Sequence, residues 1–104
     1  MLDHGIDQEI WDRIIRTVGS SPKVRKILLF GSHAMGNFKT GSDIDLALIG
    51  EDLSHEDILG LAVAVEELDL PWKVDLLDFA RLDDPAVIDY IQRRGISVYD
   101  ITQT

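Results

Sequence analysis

The stretch "LFGSHAMGNFKTGSDIDLALIG", residues 29–50, decides how this sequence folds. An apolar run stops at Gly31 and Ser32, a glycine-bearing segment follows, and a second apolar run opens on two aspartates, Asp43 and Asp45. The segments "KVRKILLF" (23–30) and "DIDLALI" (43–49) are predicted to be strands, joined by a glycine-rich loop over residues 31–42 with room for one short helical turn. In a strand, residues two apart share a face with their Cα atoms about 6.6 Å apart. Asp43 and Asp45 are therefore expected side by side, with Ile44, Leu46 and Leu48 on the opposite face toward the core. Two carboxylates at roughly 4 Å repel by up to ~4 kcal/mol in an effective dielectric near 20. A divalent cation between them removes the conflict, and a donor set of oxygens alone favours Mg²⁺ or Mn²⁺ over zinc. An Asp-x-Asp pair by itself also occurs on solvated strand edges. Here the preceding Gly-Ser turn adds backbone N–H groups and a hydroxyl suited to phosphate oxygens, and Gly36 and Gly41 let the chain turn back toward them.

Outward from this stretch the elements alternate. Ile10, Trp11, Ile14, Ile15 and Val18 recur at helical spacing, and the Gly-Ser-Ser-Pro at 19–22 stops that helix. Ser54 with Asp57 forms a capping-box pattern, Leu53 and Ile58 a hydrophobic staple, and the helix they open is expected to run to about Leu68. Leu70-Pro71 breaks it. "WKVDLLDF" (72–79) is predicted to be the third strand, where Asp78, three residues from Asp75, falls on the other face and suits a capping role. Asp84 as cap and Pro85 at the first helical position open a last helix that Gly95 closes. "ISVYD" (96–100) is a candidate short edge strand. The fold class expected is α/β (α+β): one small mixed β-sheet with helices packed on it, in a single domain over residues 1–104. Strand order is not legible in this pattern.

Composition sets the limits. A chain of 104 residues, 45% hydrophobic and 28% charged, owns a real core. It has no room for a large substrate pocket of its own. No apolar run approaches the ~20 residues of a membrane helix, and "MLDHGIDQEI" has neither the basic nor the apolar region of a signal peptide. The absence of cysteine excludes disulfides and thiolate zinc sites and fits a cytoplasmic protein. A net charge of -9 has the wrong sign for gripping a nucleic-acid backbone unaided and suits divalent cations or a basic partner.

"GSHAMG" (31–36) followed by "GSDIDLAL" (41–48) resembles the signature of the nucleotidyltransferase superfamily related to DNA polymerase β, in its minimal (MNT) form. The pattern there is Gly-Ser, a basic residue, two residues to Gly, a spacer, then Ser-Asp-x-Asp. Asp75 in "LPWKVDLLDF" matches the third carboxylate. The resemblance implies that Asp43, Asp45 and Asp75 are catalytic and hold two Mg²⁺ or Mn²⁺ ions ~3.5–4 Å apart. It implies that Gly31, Ser32, His33 and Ser42 bind the nucleotide, with Ser32 on the β- and γ-phosphates. His33 stands where the family has Arg. A histidine with its unperturbed pKa of about 6.5 is largely neutral at pH 7, which leaves weaker nucleotide binding, or packing alone, as the alternative for this residue. Trp72 suits base stacking, and more often such a residue is core or a partner contact. Lys39 reads best as a solvated loop lysine, and His4 and His55 as surface residues.

The function so implied is transfer of a nucleoside monophosphate, AMP from ATP, to a protein or small-molecule acceptor. A separate small helical partner of the HEPN family, or a substrate-binding protein, would supply what this short chain lacks. The alternative is an antitoxin-like binding subunit with a weak or inactive metal site. A metal-dependent glycosyltransferase, which also uses Asp-x-Asp, fails on size and on the Gly-Ser loop. Homodimer formation, base preference and acceptor identity stay open.

Overall fold

The fold is known from a computed structural model, which describes residues 6–31, 33 and 43–102. Asp7 starts the first element: its carboxylate accepts from the Glu9 N–H at 2.9 Å and caps α1 (Gln8–Val18). Ile14 and Val18 are fully buried, while Arg13 and Glu9 pair at 3.1 Å on the wet face. The helix stops against the ring of Tyr99. A Cβ on Gly19 would stand 2.9 Å from the Ile15 carbonyl oxygen and 3.0 Å from the Tyr99 ring, so only glycine fits there.

The chain then forms β1 (Val24–Phe30), β2 (Ile44–Gly50), α2 (His55–Glu66), β3 (Val74–Asp78), a 3₁₀ turn (Phe79–Arg81), α3 (Pro85–Arg94) and β4 (Ile96–Asp100). The sheet order is β3-β2-β1-β4. β1 pairs antiparallel with both β2 and β4, and β2 pairs parallel with β3. A parallel pair needs a crossover, which α2 supplies. The expected mixed sheet with packed helices is therefore present, and its expected helices and strands differ only at their ends; the loop with a helical turn expected over 31–42 lies largely outside the described residues. Asp43 falls just outside β2, and β3 is shorter than 72–79 because Asp78 turns the chain into the 3₁₀ turn, accepting from the Ala80 N–H at 3.1 Å. α2 stops at Glu66, since Leu68 and Asp69 donate to Val65 and Glu66 in tightened turns and Asp69 takes φ 54.

Both sheet faces are covered, which the strand pattern alone did not convey. Ile27, Leu29, Ile44, Leu46 and Leu48 join Ile14, Val18, Leu61 and Val65 in the main core beneath α1 and α2. On the other face Leu28, Ala47 and Ile91 make a smaller cluster beneath α3, edged by Phe30, Leu77 and Phe79. Asp45 precedes Ala47 on that second face. α3 covers the middle of the face, and the Asp45 end lies at its margin.

The start of α2 is a reciprocal cap. Ser54 Oγ accepts from the Asp57 N–H at 3.1 Å, and the Asp57 carboxylate accepts from the Ser54 N–H at 2.9 Å. Ser54→Ala is expected to cost about 1 kcal/mol in urea unfolding. The Ser54 backbone bond, then Lys23, holds the Asp57 carboxyl down to about 2 from its ordinary 3.8. A carboxyl with a lowered folded pKa contributes stability that is complete above 3.8 and lost as pH falls toward about 2. Asp57→Asn should therefore flatten melting temperature against pH across that window and leave the profile at neutral pH parallel to that of the parent.

Candidate active site

Gly31 follows β1 with φ +81, in the left-handed region that glycine alone enters freely. A Cβ there would run into the Asp45 carboxylate oxygen Oδ2. The turn thus lies directly on Asp45. Register does the rest, since Asp45 is the Cα partner of Phe30 in β1 and of Asp75 in β3. Directly opposed residues share a sheet face, so Asp45 and Asp75 stand together at the end of the sheet where β1 finishes and β2 and β3 begin. Asp43, exposed, sits one residue before β2.

The charges feel one another. Partial burial pushes the Asp45 carboxyl up from its ordinary range, Asp75 and Asp43 push it further, and His33 pulls it down. His33 is buried, with 1% of its surface exposed. Asp75 meanwhile pairs with the exposed Lys73 amine at 3.7 Å. Among the described residues, no three His, Asp or Glu side chains close into a ready-made metal shell. What is present is a repelling set of carboxylate oxygens beside a turn too tight for any Cβ. That donor set fits Mg²⁺ or Mn²⁺ and would gain most from a cation.

The family described as "Polymerase beta, Nucleotidyltransferase" matches residues 12–104. The chain belongs to the polymerase beta nucleotidyltransferase family. A relative from Haemophilus influenzae, described as a probable protein adenylyltransferase MntA, is 50% identical over 54 residues. That match covers 49% of this chain and 46% of the relative, so it spans about half the length of either. Among solved structures, a toxin-antitoxin complex with AMP-PNP superposes with a TM-score of 0.71 at 26% identity, covering 94% of this chain and 77% of that one. The complex of a tri-AMPylated Shewanella oneidensis HEPN toxin with its MNT antitoxin gives 0.69 at 26%, covering 94% and 76%.

Of the site residues the sequence singled out, the structure gathers Gly31, His33, Asp43, Asp45 and Asp75 at one end of the sheet. Ser32, Ser42 and Lys39 lie outside the described residues, as do Gly36, Gly41 and His4. Asp78 has the capping role expected of it, buried and paired with Arg81 at 3.2 Å. Trp72 is half-buried against the main core, next to Val74 and Leu76. His55 is exposed. Lys73 was missed by sequence reasoning. The signal was its spacing, since two residues before Asp75 means the same side of the extended chain and within reach of the carboxylate. Among the described residues no helix is long and apolar enough to cross a membrane.

Proposed function

We propose that this chain transfers AMP from ATP to a hydroxyl of a protein acceptor, and that the acceptor is a small helical partner of the HEPN class. The observation that carries the proposal is the placement of Asp45 under Gly31 and in register with Asp75, with Asp43 adjoining. The likeness to a probable protein adenylyltransferase and to a complex holding an AMPylated HEPN toxin supports the choice of donor and acceptor.

Asp43, Asp45 and Asp75 would hold Mg²⁺ or Mn²⁺, which when bound neutralises triphosphate charge and lowers the pKa of a bound hydroxyl. The backbone at Gly31, with Ser32 and Ser42, would bind the phosphates. The acceptor oxygen then bonds to the α-phosphorus as the bond to the β-phosphate oxygen breaks. Pyrophosphate leaves, and the hydroxyl proton passes to a carboxylate of the site. His33, buried where the family has Arg, steadies the ionised form of Asp45. Lys73 pairs with Asp75 at 3.7 Å and would have to release it for that carboxylate to hold a cation.

The test is to incubate α-³²P-labelled ATP with this chain and a HEPN-class partner encoded beside it. Label on the partner with matching pyrophosphate release is the expected result. A second reading, in which the chain binds its partner without turnover, rests on His33, which stands where the family has Arg. Tight complex formation with no label transferred would establish it.

A further inference from the structure

α2 is apolar on more of its surface than its packing uses. Leu61 and Val65 are buried in the core, yet Leu59 is 50% and Val63 53% exposed. Such a helix face normally meets another surface. Beside it lies a groove of about 640 Å³ between α2 and β3, walled by Ile58, Leu59, Ala62, Leu70, Trp72 and Leu76. Asp75 lines the same groove. Its floor along one side is the outer edge of β3, which has no strand partner among the described residues. The Lys73 carbonyl accepts from the Ile44 N–H at 2.9 Å and so points toward β2. Backbone groups alternate along a strand, which turns the N–H and C=O of Val74 and Leu76 outward to that edge. The rim carries both signs: Lys73, paired with Asp75, and His55 line it, while Glu66 and Asp69 have no ion-pair partner among the described residues and leave an acidic excess at the α2 end, on a chain of net charge -9.

We propose that this groove is the acceptor-docking site: an extended segment of a basic partner protein pairs with Val74 and Leu76 as an added strand and sets its acceptor hydroxyl opposite Asp75. This rests on the reading of the chain as a nucleotidyltransferase with a protein acceptor. Strand pairing dictates the sequence that fits. A residue opposite Asp75 shares the face of Asp75 and Asp45, while its two neighbours, opposite Val74 and Leu76, turn toward α2. The recognised segment is therefore apolar, hydroxyl, apolar, with lysine or arginine beyond to meet Glu66 and Asp69. Main-chain pairing supplies affinity and the alternate side chains supply choice.

The probe is a short peptide with valine on each side of a central tyrosine and lysines at both ends, compared with a scramble in which lysines flank the tyrosine. Binding is read by fluorescence anisotropy, and hydrogen exchange of the Val74 and Leu76 amides is followed by NMR, both without nucleotide. The first peptide is expected to bind and to slow exchange at both amides at least about tenfold, as burial of an edge N–H in a ladder requires. The scramble should do neither. Leu59→Glu, at an exposed position that cannot unfold the core, and Glu66→Lys should each weaken binding roughly fivefold to tenfold. Equal binding of both peptides, or binding with no protection at Val74 and Leu76, overturns the groove. ATP binding and labelling of the whole partner are measured in parallel. Edge protection without label transfer supports the groove and counts against turnover; label transfer with an unprotected edge overturns the groove and leaves turnover standing.

Discussion

Asp45→Asn is expected to reduce nucleotidyl transfer by roughly 10³-fold or more, since the stabilisation lost with a metal ligand would be several kcal/mol. The same substitution should leave the metal-free fold intact and hold or raise its melting temperature. The sign follows from the environment of Asp45. Burial and the neighbouring Asp75 and Asp43 push its carboxyl up. A carboxyl with a raised folded pKa favours the fold only while protonated, and that contribution is lost as pH rises from 3.8 through the folded value. At neutral pH the ionised group therefore opposes folding, and Asn removes the charge at almost unchanged size. Thermal melts at pH 7 in EDTA, beside transfer rates in Mn²⁺, measure both effects. A fall in melting temperature equal to that of a core truncation would mean that Asp45 holds the sheet together and that its role is not cation binding.

Gly31→Ala is the second large effect. The residue must adopt φ +81, and its Cβ would enter the space of Asp45 Oδ2. Left-handed strain together with displacement of a carboxylate predicts a loss of about 1–3 kcal/mol. Transfer should fall much further than this loss of stability implies, because the displaced group is itself a proposed metal ligand. Urea unfolding gives the stability, and Mn²⁺ titration of the folded protein gives the affinity. Stability lost without any change in Mn²⁺ affinity would detach the turn from the site.

The sequence carried the local element starts better than it carried the sheet. Alternation through 43–49 placed Asp45 opposite Ile44, Leu46 and Leu48, and capping chemistry at Ser54 and Asp84 located helix starts to within a residue, because caps are local hydrogen bonds. The order β3-β2-β1-β4 was not legible, since long-range pairing leaves no mark in a single sequence beyond apolar runs that suit several orders. Nor was the second core. Ala47 reads as a small residue in a strand, and only the contact of Ile91 from the far end of the chain makes it a buried one. The closeness of Asp45 to Asp75 came from the matching of a motif, and its physical reason, the parallel register of β2 and β3, appears only in three dimensions. His33 shows the same limit from another side. A histidine after Gly-Ser suits either a phosphate or a core, and its 1% exposure is a property of the folded chain.

The central claim is that Asp43, Asp45 and Asp75 form one cation site for a nucleotide, although Asp75 rests on Lys73 in the free protein. Its most direct test is Mn²⁺ titration, followed by electron paramagnetic resonance, of the parent and Asp75→Asn chains saturated with a non-hydrolysable ATP analogue. About two bound ions per chain are expected in the parent and about one in Asp75→Asn. Identical Mn²⁺ stoichiometry and affinity in the two proteins would contradict a shared site and leave Asp75 as a partner of Lys73 alone.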